Sequence, residues 1–428
     1  MHNQLLALLY RFQRKLIVAV ILVFFLPWIV NCTQNQAQKP AEPTSWTFMV
    51  YMDGDNDLEP NGIDNFLWMS SVGSSSEVSI VVQFDRIRLP MFDDKRYEDW
   101  TSAKRYYVTK DMTPVSGDAL SDLGEINMGD PQALIDFVQW SASNYPADHY
   151  ALVIWDHGSG WKPKKIQLST DFTNGFDGLT MQELQSALST LTDNGAQPLD
   201  LIIFDACMMA MIEVDNQLLP FSLVRVASEA PVPSQALPYN EILSLLTATP
   251  SMTSTELGEV IVQEYYDYYQ NYTLSALPLG NAYNSLNLAV DNFALALIDN
   301  HSSYRNQIDR ARSNTIFFFD RDYIDLYDFA HQVNLWIADP AINSSATAVM
   351  NEVENIIIAE QHGEQHFGDA HGITIYFPTD GEKYDSLYDG ASGWLDFTAD
   401  NHWDEWLRTY FSAAEMSDFL YLPFTARD

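Results

Sequence analysis

The sequence predicts an α/β fold built on a mainly parallel sheet with helices on both faces. Two apolar runs, at residues 150–155 and 199–204, each end abruptly in polar residues. Runs of this kind are typical of central parallel strands, which are buried on both faces. Strand-like and helix-like segments also alternate along the chain, and this alternation favours parallel pairing through helical crossovers.

The first half of the globular sequence, which begins at Trp46, supplies most of the predicted strands. An N-cap carboxylate followed by proline at 130–131 and a capping box at 180–183 each predict the start of a helix. A further helix is expected at 208–219. Strands are predicted at 46–52, 78–84, 105–109, 150–155, 199–204 and 223–228.

Beyond residue 250 the pattern becomes mainly helical. A capping box at 253–256 starts one predicted helix, which runs through residues 257–269. We therefore divide the globular sequence into a core at 46–250 and a mainly helical C-terminal extension at 251–428. Within the extension we expect further helices at 293–311 and 324–337, and strands at 286–290 and 373–378.

The composition is that of a folded protein that does not bind nucleic acid. Of the 428 residues, 47% are hydrophobic and 13% aromatic, which is enough for a substantial core. Asp and Glu number 58 against 22 Lys and Arg, for a formal net charge of -36. Such a surface repels nucleic acid. It suits basic peptides or divalent cations, or it is simply a soluble surface outside the cytoplasm.

Residues 1–32 have the pattern of a secretory leader. Cationic residues precede an uncharged apolar run at 16–30, which is short for a membrane span of about 20 residues. The run ends in a segment resembling a bacterial lipobox, in which Cys32 would be diacylated, although Asn31 stands where a small residue is usual. We expect an exported lipoprotein of a bacterial cell envelope, with a flexible tether at 33–45.

The two buried runs deliver a histidine and a cysteine to the ends of their strands. Ligands of open α/β sheets bind at the carboxyl ends of parallel strands, and here these ends carry His157 and Cys207. A neighbouring imidazole can convert a thiol to the nucleophilic thiolate. The chain has only two cysteines, so if Cys32 is acylated, Cys207 is a lone free thiol in an exported protein. The alternatives are an inert buried cysteine and a histidine satisfied in the core.

The sequence blocks at 157–161 and 205–210 together resemble the clostripain family of cysteine peptidases, relatives of caspases, gingipains and legumains. The fifty positions between His157 and Cys207 match the caspase spacing. The resemblance implies a caspase-like arrangement of the predicted sheet. Further segments resemble family motifs in the same order, at 46–59, 227–229, 237–239, 323–327 and 372–378.

The resemblance implies a cysteine endopeptidase that acts on polypeptides. Cys207 would attack the scissile carbonyl to form a thioester, while His157 protonates the departing amine. Backbone N–H groups of Cys207 and Gly158 would bind the oxyanion. Asp205 would receive a basic P1 side chain in the S1 pocket, although a structural carboxylate is the alternative. Gln235 stands about where basic-specific relatives carry a second acid, so we expect only some preference for Arg or Lys.

A catalytically silent, caspase-like surface-binding protein is the alternative function. The intact pair of His157 and Cys207 argues against it, because a binding protein has no chemical need for either residue. Many members of the family cut themselves between these two residues, and Lys162, Lys164 and Lys165 lie in that loop. Self-cleavage within 162–178 is therefore a further hypothesis.

No cofactor is implied as a requirement, but the resemblance implies that calcium could stimulate the enzyme. Acidic residues from Asp53 to Asp64 echo the spacing of an EF-hand loop, yet Leu58 stands where that loop needs glycine. A strand-to-helix turn with capping acids explains them better, so no metal ligands are assigned. The histidines at 362, 366 and 371 suggest zinc by type, but neighbouring glycines favour an ordinary loop.

Overall fold

The computed structural model describes residues 43–164 and 167–419, with side chains described as far as residue 412. The predicted leader with Cys32, and the tether up to residue 42, lie outside the described residues. Within these residues we find no helix with the length and apolarity that crossing a membrane requires.

Thirteen strands and twelve helices are found in the described part of the chain. The strands are β1 (Thr44–Gly54), β2 (Val78–Arg86), β3 (Ala103–Tyr107), β4 (Ser121–Gly124), β5 (Ala147–Trp155), β6 (Leu168–Asp171), β7 (Asp177–Leu179), β8 (Leu199–Asp205), β9 (Ser222–Ala227), β10 (Thr273–Pro278), β11 (Tyr323–Asp325), β12 (Ala359–His362) and β13 (Thr374–Tyr376). The helices are α1 (Glu59–Val72), α2 (Pro131–Asn144), α3 (Met181–Leu191), α4 (Ile212–Leu218), α5 (Tyr239–Ala248), α6 (Ser254–Tyr269), α7 (Asn284–Asn314), α8 (Leu326–Trp336), α9 (Pro340–Ile356), α10 (Glu364–Phe367), α11 (Asp396–Asp400) and α12 (Trp403–Phe419).

The central sheet has nine strands in the order β12-β10-β9-β8-β5-β1-β2-β3-β4. The five strands from β9 to β2 run parallel, and two antiparallel strands extend the sheet at each edge. Helices cover both faces, as central parallel strands require. The predicted fold class is confirmed.

Two hydrophobic layers enclose the sheet, and β1 shows how the strand pleat separates them. Met49 and Tyr51 point into the layer that contains α2 and α3, whereas Phe48, Val50 and Met52 point into the layer that contains α1, α5 and α6. Successive side chains of a strand point to opposite faces. Both sets are fully buried, which explains why the strand reads as one continuous apolar run.

The predicted helix starts are observed with their caps. Asp130 caps α2 by accepting from the backbone N–H of Gln132, and complete capping boxes open α3 and α6. The helix predicted at 208–219 is shorter, because Met208 has a left-handed backbone (φ 60°) and Met211 bridges to a strand. These contacts keep residues 208–211 out of α4.

The strand predicted at 286–290 is wrong, because these residues lie within the long helix α7. Leu286, Ala289 and Val290 are buried on one side of that helix, whereas Leu288 is exposed, so the short run is part of an amphipathic helix and not a strand. The late strand predicted at 373–378 is present as β13, which pairs with β11 in a separate two-stranded sheet.

The predicted division at residue 250 is not marked by a break in the structure. The strands β10 and β12 both follow this position, yet β10 pairs with β9 and β12 pairs with β10 in the central sheet. The described residues on both sides of position 250 belong to one compact unit. The C-terminal region therefore completes the sheet that carries the candidate site.

Candidate active site

The carboxyl ends of β1, β5 and β8 lie side by side, and polar residues follow each of them. In the sheet register, Met52 pairs with Trp155 and Trp155 pairs with Asp205. His157 and Cys207 each come two residues after the end of their strand. The fold therefore brings both to one edge of the sheet, where they line the same cavity of about 200 Å³.

A larger cleft of about 730 Å³ lies elsewhere, beside α2, and is lined by Arg105 and Trp140 among others. It holds no histidine or cysteine. The smaller cavity is therefore the candidate active site, because it combines a nucleophile, an imidazole and buried carboxylates.

His157 is held by an acid from the turn after β1. Its Nε2 lies 2.9 Å from Oδ1 of Asp57, and its ring lies parallel to that of Phe172, with the ring centroids 6.4 Å apart. Burial acts to lower the pKa of His157, but the hydrogen bond that the ring donates to Asp57 and the charges of Asp156 and Asp57 outweigh it, so the pKa is raised. The hydrogen bond to Asp57 thus orients the imidazole through Nε2.

Asp156, which precedes His157, connects the segment after β1 with strand β6 through hydrogen bonds. It is almost fully buried and accepts hydrogen bonds from the side chain of Asn56, at 2.6 Å, and from the backbone N–H of Thr170. Burial raises the pKa of Asp156 to about 7, against the lowering effect of His157 and these donors.

Cys207 is half-buried at the cavity wall. Burial raises the pKa of its thiol, a backbone hydrogen bond from Val232 acts in the opposite direction, and the charges of Asp205 and Asp156 raise it further. The resting thiol is therefore protonated at neutral pH, and it needs a base before it can act as a nucleophile.

Gly158 and Cys207 are in backbone contact. A Cβ atom built on Gly158 would lie 2.4 Å from the carbonyl oxygen of Cys207 and 2.8 Å from its backbone nitrogen. No side chain fits at this position. The two residues predicted to supply oxyanion donors are thus adjacent in space.

Asp205 is buried at the base of the same cavity. Its Oδ2 accepts from the backbone N–H of Leu237 at 3.1 Å and from the hydroxyl of Tyr239 at 2.7 Å, while Oδ1 has no partner among the described residues. Burial raises its pKa to about 7, despite these two donors.

Gln235 does not line the cavity that contains Cys207, although its neighbours Ser234 and Ala236 do. Its side chain is exposed at a separate cleft of about 150 Å³, and its carbonyl oxygen accepts from the side chain of Asn65 at 2.8 Å. The side chain of Gln235 therefore does not share the cavity of Asp205, although its place in the sequence suggested that it would.

The loop lysines considered for self-cleavage are tied to acids. The ammonium of Lys162 lies 4.2 Å from the centre of the Tyr376 ring and 3.6 Å from Asp322, and Lys164 pairs with Asp320 at 2.8 Å. Lys165 lies outside the described residues. Self-cleavage stays a prediction.

Three carboxylates near the histidine could hold a metal ion. One oxygen each from Asp55, Glu125 and Asp171 lies within 4.8 Å of the other two. No histidine set in the described ranges brings three ligand atoms this close. His371 instead pairs with Asp325 at 3.3 Å and His362 bonds to Glu360 at 2.9 Å.

The fold and the site define a class, a hydrolase of the caspase-like cysteine peptidases. The family model described as the clostripain family, Peptidase_C11, matches residues 50–410. The chain therefore belongs to the clostripain family, which confirms the resemblance seen in the sequence.

Individual relatives agree with this assignment. Clostripain of Hathewaya histolytica is 25% identical over 416 residues, which cover 80% of this chain and 76% of clostripain. A secreted C11 cysteine protease from Bacteroides thetaiotaomicron, solved with an irreversible peptide inhibitor, has a TM-score of 0.61 at 19% identity, covering 84% of this chain and 99% of that one. An inactive zymogen C11 protease from Parabacteroides distasonis has a TM-score of 0.63 at 17% identity, covering 84% and 99%. These structures share the fold.

Sequence reasoning missed Asp57 as the partner of His157. It also left Asp55 without a role, and it did not consider Glu125 or Asp171. The signal that could have found Asp57 is its place directly after a central strand, at the same sheet edge as His157.

Proposed function

We propose that this chain is an exported endopeptidase that cleaves polypeptides through His157 and Cys207 and prefers Arg or Lys at P1. The observation that carries the proposal is the unpartnered Oδ1 of Asp205 in the cavity that also holds Cys207. A buried carboxylate oxygen without a donor is costly, and an entering cation would supply one. A P1 guanidinium would bind in bidentate fashion, and an ammonium would bind as a point charge.

Acylation begins from a neutral thiol, because burial raises the pKa of Cys207. The thiol proton passes to His157 as Sγ bonds to the scissile carbonyl carbon, and the carbonyl oxygen becomes an oxyanion. Backbone N–H groups of Cys207 and Gly158 stabilise this oxyanion. The C–N bond then breaks as His157 gives the proton to the departing amine, leaving a thioester on Cys207.

Deacylation reverses these roles. His157 takes a proton from water as the hydroxide attacks the thioester carbonyl, and the C–S bond breaks. The proton returns to the sulfur, so that thiol and imidazole are restored and the second product leaves as a carboxylic acid.

Asp57 acts as a positioning residue in this scheme. Its hydrogen bond fixes the ring of His157 and stabilises the imidazolium that forms during the reaction. Its carboxylate is about half exposed, so we expect a smaller contribution than from a fully buried acid.

The P1 preference rests on one carboxylate, Asp205. A pocket with a second acid would discriminate more strongly for cations. With Gln235 in the separate cleft, we propose relaxed discrimination, so that some uncharged P1 residues are also cleaved at lower rates.

The test is hydrolysis of fluorogenic peptides varied only at P1, by the full-length chain and by its Cys207→Ala variant. We expect cleavage after Arg and Lys that is absent in the variant. Cysteine-dependent cleavage after other residues alone would overturn the preference. No cleavage by the wild-type chain, in either intact or proteolytically nicked form, would favour the alternative of a silent surface-binding protein.

We further propose that the reaction requires no cofactor and that Cys32 carries a lipid anchor in the cell envelope. One structural neighbour is described as secreted, which agrees with export. Metabolic labelling with a fatty-acid analogue tests the anchor. We expect label on the wild-type chain and none on a Cys32→Ser variant. If neither protein is labelled, or if both are labelled equally, the lipid anchor on Cys32 is refuted.

A further inference from the structure

We propose that the cleft beside α2 binds a zwitterionic ligand with an apolar side chain, of the class of amino acids and short peptides, with its carboxylate on Arg105. The cleft has a volume of about 730 Å³, which lies within the range of pockets that hold small ligands. It shares no lining residue with the cavity of Cys207, and the proposal does not depend on the proposed peptidase reaction.

The cleft lies between α2 and the edge strands β3 and β4. Successive side chains of a strand point to opposite faces. Tyr106 belongs to the layer that contains α1, so its neighbour Arg105 points to the face that α2 covers. The helix contributes side chains that are mostly three or four positions apart and so lie on one face. They are Gln132, Ala133, Asp136, Gln139, Trp140 and Ser143.

Arg105 brings an unpaired positive charge to this cleft. Only 7% of the residue is exposed. Its Nε donates to Oε1 of Gln83 at 2.8 Å, and its two terminal nitrogens have no hydrogen-bond partner among the described residues. Burial lowers the pKa of Arg105 and the charge of Asp136 acts in the opposite direction, but a guanidinium stays protonated at neutral pH even so. A buried cation with free donors is costly, so an anion that enters the cleft would be stabilised.

The other buried cations of the described residues show how this chain usually satisfies such charges. Each of them has a carboxylate partner. The pairs are Arg86 with Glu59 at 2.5 Å, Lys104 with Asp122, and Arg225 with Asp215 at 2.8 Å. Within the described ranges Arg105 is the exception, and it lines a cleft that a ligand can enter. The ligand would supply the carboxylate that the chain itself supplies at the other three positions.

The guanidinium of Arg105 is held ready for a carboxylate. Its bond to Gln83 fixes one side, and its central carbon lies 5.0 Å from the centre of the Trp140 ring. The two terminal nitrogens that remain can donate in parallel to the two oxygens of one carboxylate. Because the side chain is already immobilised, little conformational entropy is lost when the anion binds.

Acids in the same cleft require the ligand to carry a cation as well. Asp130 and Asp136 are exposed and both line the cleft. Oδ1 of Asp136 accepts from the side chain of Gln132 at 2.7 Å, while no donor to its Oδ2 is found in the described part of the chain. An ammonium group would pair with this carboxylate. A phosphate dianion would instead be repelled by both acids and by the overall charge of -36.

The remaining wall of the cleft suits an apolar side chain. Leu123, Ile126 and Ala133 contribute aliphatic surface, and Trp140 contributes an aromatic ring. Amino acids and short peptides combine a carboxylate, an ammonium and an apolar group in one molecule. The lining residues therefore match this class better than a nucleotide or an inorganic anion, which has no ammonium group.

Binding is tested on the full-length Cys207→Ala chain, so that the catalytic thiol cannot act on the probe. The probe is the dipeptide alanyl-phenylalanine, followed by calorimetry and by saturation-transfer NMR. We expect saturable binding with a Kd of about 1 mM or below. Alanyl-phenylalanine amide, which lacks the carboxylate, should bind at least about tenfold more weakly. General attraction to a chain of net charge -36 predicts the opposite order, because the amide is a cation.

Variants locate the bound dipeptide. Arg105→Gln should weaken binding at least about tenfold, and Asp136→Asn, at an exposed position that should fold normally, at least about threefold. Arg310→Gln is the matched control and should bind like the parent. Arg310 also lies over an indole, 3.4 Å from the ring centre of Trp336, but it is exposed and does not line the cleft. Asp205→Asn, in the cavity of Cys207, should likewise bind normally.

Several results would overturn the site. They are no binding at about 10 mM dipeptide, equal binding of the amide, or unchanged binding by Arg105→Gln. If Arg105→Gln does not melt like the parent, the amide and Asp136→Asn decide without it. Loss of binding in Asp205→Asn alone would place the dipeptide in the cavity of Cys207 and refute the cleft. Displacement of the dipeptide by about 10 mM inorganic phosphate would indicate a simple anion site and refute the zwitterionic class.

Discussion

Two histidine–aspartate pairs stand at opposite ends of the same strand, β5. His149 bonds to Asp200 at 2.8 Å near the amino end, and His157 bonds to Asp57 at 2.9 Å beyond the carboxyl end. Each ring also lies against an aromatic side chain, Trp46 for His149 and Phe172 for His157. The pairs are nearly equal in local geometry.

Their surroundings differ. His157 lines a cavity with Cys207, and parallel strands on either side of β5 deliver polar residues to the same edge. His149 packs on the indole of Trp46, and among the residues that the structure describes no thiol lies at that end of the sheet. The comparison indicates that the position of an imidazole–carboxylate pair at the carboxyl ends of the strands, and not its own hydrogen bond, is what makes His157 the candidate for catalysis.

The largest expected effect comes from adding a side chain where the backbones of Gly158 and Cys207 are in contact. Gly158→Ala should lower kcat/KM by about a thousandfold, because its Cβ would displace the backbone of Cys207 and with it the oxyanion donors. Gly117→Ala is the matched control, since a Cβ there meets no atom within 4 Å, and it should change activity less than twofold. Steady-state kinetics on an Arg peptide measure both. Nearly normal activity of Gly158→Ala would remove the oxyanion assignment.

The next effect tests the two pairs against each other. Asp57→Asn should lower kcat/KM by about ten- to a hundredfold, whereas Asp200→Asn should leave it within about twofold. Both variants remove one carboxylate from a histidine, so a general effect of charge would appear in both. Equal losses would mean that the position of His157 does not distinguish it.

Asp57 should also set the acid side of the pH profile. His157 must be neutral to accept the thiol proton, so activity falls as pH drops through its pKa, which the bond to Asp57 helps to raise. Asp57→Asn should therefore move the acid limb of kcat/KM to lower pH. A pH–rate profile of both proteins decides, and an unchanged limb would show that another group controls it.

A smaller effect concerns the pH dependence of P1 preference. The pKa of Asp205 is raised to about 7 by burial, so the pocket gains its charge as pH rises through that value. The ratio of kcat/KM for an Arg peptide over the matched Gln peptide should rise several-fold between about pH 6 and pH 8. In Asp205→Asn the ratio should stay flat, and a slope in that variant would assign the charge elsewhere.

The smallest effect is expected at Gln235. Its side chain is exposed outside the cavity, so Gln235→Ala should change the Arg over Gln ratio by less than about twofold. A larger change would mean that the loop moves Gln235 toward the substrate when peptide binds.

Most of the site's framework could be predicted from sequence. Apolar residues are continuous at 150–155 and at 201–204, directly before the polar residues that lead to His157 and Cys207, so both strands and the side of the sheet at which they end could be predicted from the pattern. The edge strands β10 and β12 could not be predicted, because their short segments carry no strong alternation. The apolar run at 286–290 was ambiguous between strand and helix for the same reason, and tertiary packing decided it.

Contacts between side chains that are far apart in the sequence were harder to predict. Asp57 and His157 are one hundred positions apart, and only the parallel pairing of β1 with β5 brings them together. The cluster of Asp55, Glu125 and Asp171 joins three separate segments whose spacing in sequence has no fixed pattern. Local spacing instead suggested an EF-hand that the strand-to-helix turn does not form.

The central claim is that Asp205 accepts a basic P1 side chain beside Cys207, and one ratio tests it most directly. At about pH 8, we predict that Asp205→Asn lowers kcat/KM for the Arg peptide about a hundredfold and leaves the matched Gln peptide within a few-fold. Tyr239→Phe, which removes one hydrogen bond to Asp205 without removing its charge, should keep the Arg preference. An Arg over Gln ratio that is unchanged in Asp205→Asn, in a protein that melts like the wild type, would contradict the claim.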